Sequence, residues 1–348
     1  MISETPTLAD LGWSTHFSTQ RDIDELQTTV PARVMAVHRN RLAVQGDGFD
    51  TDILPPRDGD GPTVGDWLLL TDDRTRLVRL LDRRSVFKRK APGIEVRTQL
   101  IAANVDTLFI VSSCNQDFNL ARLERYLALA RQAEVTPLVV LTKADLADDP
   151  GTYRAAAEKL LPGLLVETLD ARDAIEAGRL AAWCGRGQTV ALVGSSGVGK
   201  STLVNALTGD GEIATQAVRG DDDKGRHTTT GRQLHRLPSG GWLVDTPGMR
   251  ELQLTDVEAG LADVFADLDA IAARCRFADC RHEGEPGCAV AQAAASGEID
   301  AARVKRWRKL VAEEAFNNAT LAERRARDRA FGRLTRDAGA DKRWRRGD

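Results

Sequence analysis

The chain has 348 residues, enough for more than one buried core, because single cores stop growing well before that length. Its 48 Lys and Arg against 51 Asp and Glu leave a net charge of -3, which excludes a general polyanion binder and confines any nucleic-acid surface to a local patch. With 42% hydrophobic and 28% charged residues and no apolar run of membrane-spanning length, it reads as a globular chain with no membrane partner; residues 1–17 carry neither a basic leader nor an apolar stretch, so the cytoplasm is the expected location.

After an extension over residues 1–29, β-rich runs at 33–37, 42–45, 67–71 and 77–81, separated by Asp, Gly and Pro, predict a small antiparallel β-barrel over residues 30–88. Arg83, Arg84, Lys88, Arg89 and Lys90 surround Phe87 where the barrel ends, and this segment reads equally as a solvated linker or as an RNA contact. Over residues 89–254 apolar runs at 107–112, 136–141, 164–167 and 189–193 alternate with helical stretches, among them one with Leu120, Leu123, Leu127 and Ala130 on a single face. That alternation predicts a mostly parallel sheet covered on both faces, an α/β domain. Residues 208–226 lack periodicity and are expected to form a mobile loop. Residues 255–348 are Ala-rich and helical, are interrupted by a cysteine cluster, and end in a long helix from about Glu298; residues 301–348 hold fifteen Lys or Arg against seven Asp or Glu, a basic tail.

Gly194, Ser195, Ser196, Gly197, Val198, Gly199, Lys200 and Ser201 fit G-x-x-x-x-G-K-[ST] between an apolar strand and a helix-forming run that starts at Thr202. Glycines let the backbone wrap phosphates with its N–H groups at a helix N-terminus, Lys200 adds charge for the β- and γ-phosphates, and Ser201 is placed to hold Mg2+. Thr142, Lys143, Ala144 and Asp145 close another strand. A carboxylate at Asp145 can accept the N1 and N2 hydrogens of guanine, which adenine cannot offer, and the Lys143 stem can cover the purine face. The residue usual at the first position is Asn; Thr142 bonds with one fewer group, so guanine selection is expected to be softer. Asp245, Thr246, Pro247 and Gly248 follow an apolar strand, with Asp245 placed to hold a water of the Mg2+ shell and Gly248 to sense the γ-phosphate. Upstream, a threonine of Thr228, Thr229 and Thr230 can complete Mg2+ coordination in the GTP state; Thr229 is the one assigned. Because Asp145 precedes Gly194, the base reader comes before the P-loop, and the domain is read as circularly permuted.

Cys275, Cys280, His282 and Cys288 offer three thiolates and an imidazole within fourteen residues, a closed tetrahedral set for a structural zinc. Cys114 and Cys184 lie in apolar stretches and are read as buried thiols. Met249, Arg250 and Glu251 follow Gly248 where many GTPases carry a water-orienting Gln, so slow intrinsic hydrolysis is expected. His227 is the candidate for that task, with packing or RNA contact as an equally weighted alternative.

This order of motifs, T-K-A-D, G-S-S-G-V-G-K-S, G-R-H-T-T-T and D-T-P-G, followed by C-x4-C-x-H-x5-C, resembles the RsgA/YjeQ family of circularly permuted GTPases over most of the chain. The resemblance implies an N-terminal OB-fold touching ribosomal RNA, a central P-loop GTPase domain and a C-terminal helical zinc-binding domain. It further implies a monomer that binds the 30S subunit and its 16S rRNA and hydrolyses GTP to GDP as a late maturation checkpoint. The chain departs from the family at Thr142 and in its arginine-rich tail. Two other readings remain: a nucleic-acid scaffold whose nucleotide only stabilises the fold, which leaves Lys200, Ser201 and Asp245 without a purpose, and a P-loop ATPase or kinase, which leaves Asp145 unexplained.

Overall fold

The computed structural model describes residues 5–56, 61–90, 98–209, 232–245 and 256–318. Strands β1 (Thr29–Val37), β2 (Leu42–Gly46), β3 (Phe49–Ile53), β4 (Trp67–Thr71) and β5 (Leu77–Leu80) pair antiparallel in the order β3-β2-β1-β4-β5. This is the partly open five-stranded OB arrangement. Ala32, Val34, Leu42, Val44, Phe49, Ile53, Leu68 and Leu70 fill its interior.

The run Trp67-Leu-Leu-Leu-Thr of β4 is buried on both faces. Leu68 and Leu70 point into the barrel, whereas Trp67 and Leu69 join the core that continues into the next domain. Period-two alternation puts neighbours on opposite faces, so an unbroken apolar strand needs a cover on each. The N-terminal segment helps to supply the second cover: Leu11 and Phe17 are fully buried, and the Trp13 and Phe17 rings lie 4.8 and 5.7 Å from that of Trp67. An Asp22–Glu25 capping box starts the helix Ile23–Thr28, which leads directly into β1.

The basic segment after the barrel is a strand rather than a linker. β6 (Val86–Lys90) pairs antiparallel with β7 (Thr98–Ala103), Phe87 is buried, and Lys88 pairs with Asp256 at 3.3 Å. Beyond it lie β8 (Thr107–Ser113), β9 (Thr136–Thr142), β10 (Leu165–Thr168), β11 (Thr189–Gly194), β12 (Arg232–Arg236) and β13 (Trp242–Asp245). The order β10-β9-β8-β11-β13 is parallel throughout, and β12 adds antiparallel to β13. β12 also pairs antiparallel with β1, Ala36 opposite Gln233 and Val37 opposite Arg232, so the barrel and the nucleotide sheet share one hydrogen-bonded ladder. Helices Leu120–Gln132, Pro150–Glu158 and Lys200–Thr208 fall in the crossovers of this sheet.

The C-terminal helices Glu258–Val264, Ala266–Ala272, Ala289–Ser296 and Ala301–Asn318 pack on helix Leu120–Gln132 and on one another. The crossing is close at Gly260, where an added Cβ would lie 2.0 Å from Ala128 O. Helix Ala301–Asn318 is fixed by ion pairs: Arg306 Nε reaches the fully buried Glu124 at 2.8 Å, Arg303 reaches Asp267 at 3.0 Å, and Arg125 reaches back to Glu313 at 2.5 Å. Burial pushes the Glu124 carboxyl above its ordinary range, and the Arg306 hydrogen bond opposes that shift. Among the described residues no helix is long and apolar enough to cross a membrane.

Candidate nucleotide and metal sites

The parallel strands present their carboxyl ends along one edge, where ligands of open α/β sheets bind. β8 lies between β9 and β11, with Val111 opposite Gly194 and Ser113 opposite Thr142, so the Gly194–Ser201 loop and the turn after Thr142 emerge side by side. Gly194 has φ +148, and a Cβ there would meet Val111 O at 2.3 Å; Gly199 has φ +95 and packs on Thr142. Val198 is buried with Leu203, Leu180 and Cys184, which anchors the loop from below. Ser196 and Gly197 are exposed, with open space over Gly197, so the rim has room for a polyanion. The Lys200 ammonium donates to Gly194 O at 2.9 Å and to Ser195 O, folding over the loop it would serve. Ser201 and Thr202 open the helix, each partly buried.

Thr142 is fully buried. Its hydroxyl lies 2.5 Å from Val198 O and 3.1 Å from Ser112 O, and one proton serves the two acceptors. The side chain therefore ties the end of β9 to the P-loop backbone and does not face outward. Replacing Asn by Thr alters that tie first. Lys143 follows in the left-handed region at φ 57, which turns the chain so that Ala144, Asp145 and Leu146 form a 3-10 turn.

Sequence reasoning missed the group that meets Asp145. Arg172 Nη2 donates to Asp145 Oδ2 at 2.6 Å and to Asp170 Oδ2 at 3.0 Å, while its Nε donates to Asp170 Oδ1 at 3.1 Å. Those bonds hold the guanidinium above its ordinary range, Asp170 first and Asp145 next, and Arg172 holds the Asp170 carboxyl below its own. The spacing D-A-R signals an Asx turn, but nothing local shows that Arg172 reaches a residue 27 positions earlier.

Asp245 ends β13 opposite Gln233, beside β11 in the same sheet. His227, Thr229 and Gly248, the expected loop over 208–226 beyond Gly209, and the tail after Asn318 lie outside the described residues.

The zinc-ligand candidates do converge. One donor atom from each of Cys275, Cys280, His282 and Cys288 lies within 4.8 Å of the others. His282 Nδ1 is 3.6 Å from Cys275 Sγ and 3.5 Å from Cys288 Sγ, and those two sulfurs are 4.0 Å apart. Metal–sulfur bonds of about 2.3 Å at tetrahedral angles put sulfurs roughly 3.8 Å apart, so the donor set is compatible with a zinc ion. Cys288 also caps helix Ala289–Ser296 by accepting Ala291 N–H at 3.3 Å, and the Trp307 ring lies 5.1 Å from that of His282. Burial pushes the Cys114 thiol up to about 11 and the Cys184 thiol up to about 12, which leaves both inert, as their apolar settings suggest.

Known structures repeat this architecture. YjeQ from Thermotoga maritima superposes with a TM-score of 0.59 at 25% identity, covering 81% of this chain and 97% of its own. The circularly permuted GTPase YloQ superposes with a TM-score of 0.60 at 22% identity, covering 86% and 99%, a likeness of fold. An OB barrel, a permuted P-loop sheet and a helical module with a Cys3His cluster thus define a circularly permuted GTPase, an enzyme that hydrolyses GTP. A family model for the RsgA GTPase matches residues 80–255. A small ribosomal subunit biogenesis GTPase RsgA 2 from Vibrio parahaemolyticus is 52% identical over 345 residues, 99% of this chain and 96% of its own. A small ribosomal subunit biogenesis GTPase RsgA from Mesorhizobium japonicum is 48% identical, covering 96% and 97%. The chain belongs to the RsgA GTPase family.

Proposed function

We propose that this GTPase serves biogenesis of the small ribosomal subunit: as a monomer in the cytoplasm it binds the 30S subunit through 16S rRNA and hydrolyses GTP on contact, as a late maturation checkpoint. The names carried by its relatives support the partner. The observation that carries the nucleotide reading is the juxtaposition of the Gly194–Ser201 loop with the Asp145 turn, riveted by the Thr142 hydroxyl.

In this reading the N–H groups of Ser195 to Thr202 and the Lys200 ammonium cradle the phosphates, while Asp145 accepts from the guanine edge under Lys143 and Ala144. Ser201, with Thr229 and Asp245, would hold Mg2+, which would supply positive charge to offset that of the transferring phosphoryl group. Gly248 senses the γ-phosphate through its N–H, and His227 orients the attacking water when the subunit is bound. A zinc ion on Cys275, Cys280, His282 and Cys288 is structural, because four protein ligands leave no position for water.

Phosphate release from GTP and ATP, with and without 30S subunits, tests the proposal. GTP-selective release that rises on the order of 10³ to 10⁵-fold with the subunit is the expected result. Release that stays at background, or equal use of ATP, overturns it. His227→Ala separately tests the water-orienting role, since unchanged subunit-stimulated turnover removes His227 from it.

A further inference from the structure

The loop joining β10 to the helix Ala174–Gly178 is built rather than slack. Glu176 Oε2 accepts Asp170 N–H at 2.8 Å, Asp170 Oδ1 accepts Arg172 N–H at 2.9 Å, and Asp173 caps the helix by accepting from Ile175 N–H at 2.8 Å. Ala171 is buried between them. Leu169 N–H donates to Leu141 O at 2.9 Å, so the loop is locked to β9 immediately before Thr142. From this platform Arg172 presents its guanidinium as a fork on Asp170, and the remaining reach of Nη2 fixes one oxygen of Asp145. A fork held by two bonds loses little freedom in making a third.

Resting on the reading of Asp145 as the base-reading carboxylate, we infer that Arg172 is a positioning residue for base selection. It holds the Asp145 carboxylate in a single orientation for the N1–H and N2–H edge of guanine. A purine that meets a carboxylate already oriented does not have to order it, and guanine, which reaches one oxygen through N1–H and the other through N2–H, gains more from this than hypoxanthine, which offers N1–H alone. The Arg172 side chain is 66% exposed and contributes to no core cluster, so its removal leaves the fold standing.

The test compares fluorescent GDP and IDP, which lacks the exocyclic amine, on the full-length protein and on Arg172→Ala, Arg172→Lys and Asp145→Asn. Arg172→Ala is expected to reduce the GDP-over-IDP preference roughly fivefold with an unchanged melting temperature, and Arg172→Lys to recover only part of it, since an ammonium cannot grip Asp170 as a fork. A preference equal to that of the parent protein in Arg172→Ala, or tighter GDP binding there, overturns the inference. Asp145→Asn separates the two assignments. If it abolishes the preference while Arg172→Ala does not, Arg172 alone is discarded; if it has no effect, the base-reading assignment fails and takes this one with it.

Discussion

Arg33 Nη2, from the first strand of the barrel, donates to Thr189 Oγ1 at 2.8 Å, and Thr189 begins the strand that ends in the P-loop. Arg33 is 1% exposed and also donates to Leu11 O at 2.6 Å, Asn104 O at 3.3 Å and Gly65 O at 3.4 Å. These acceptors are carbonyls and a hydroxyl, and burial pushes the guanidinium down to about 10. One side chain thereby joins the N-terminal segment, the barrel and the nucleotide sheet.

Arg33→Met keeps much of the volume and removes every donor. Each buried acceptor left without a partner costs about 1–3 kcal/mol, so chemical denaturation is expected to show a loss of at least ~3 kcal/mol together with weaker nucleotide binding. A loss under ~1 kcal/mol would mean that the barrel and the sheet hold together without this bond network.

Thr142→Val keeps the shape and deletes the hydroxyl. Val198 O then loses the hydroxyl that ties the P-loop to β9, and affinity for nucleotide is expected to fall about tenfold, equally for GDP and IDP, because the hydroxyl faces the P-loop and not the base. Titration with both nucleotides checks it; a change confined to GDP would return Thr142 to the base edge.

Metal analysis of protein purified without added metal is expected to give about one zinc per chain, and Cys280→Ser or a strong chelator to lower both the zinc content and the melting temperature. Trp307 packs against His282, and Arg306 on the same helix grips Glu124. Loss of the ion should therefore loosen the contact with helix Leu120–Gln132 and increase its hydrogen exchange. Full stability in a zinc-free preparation would refute a structural metal.

Glu25 reaches Arg79 at 2.5 Å, chiefly through which its carboxyl is lowered from 4.5 to about 2. A carboxyl whose folded value lies below its unfolded value stabilises the fold above the unfolded one and loses that contribution as acid protonates it through the folded one. Attachment of the helix Ile23–Thr28 to β5 is expected to weaken between pH 4.5 and about 2. Glu25→Gln should lower the melting temperature slightly at neutral pH, flatten that part of the profile and converge with the parent protein near pH 2; an unaltered acid limb would show that other carboxylates carry it.

The P-loop, the Asp145 turn and the Cys3His cluster were legible because each is a local pattern with a fixed spacing. The strand Phe49–Ile53, F-D-T-D-I, escaped because only its two ends are apolar. The role of Leu11, Trp13 and Phe17 could not be read because it depends on the outer face of β4, 50 or more residues away in the chain. Arg33 and Arg172 look like surface arginines in sequence; one is buried among carbonyls and the other is tied to two carboxylates, and only the tertiary fold separates them.

The pairing of β1 with β12 sets a rule for anyone wishing to recombine parts of this protein. A nucleotide domain released from its barrel would carry Arg232–Arg236 as a bare sheet margin, open to adhesion by any passing strand. A substitute barrel would have to arrive with a matching margin in the same register, Ala36 against Gln233, and with an arginine able to reach Thr189. The two halves are consecutive in the chain, yet parting them means breaking both a strand pairing and the buried Arg33 bond to Thr189.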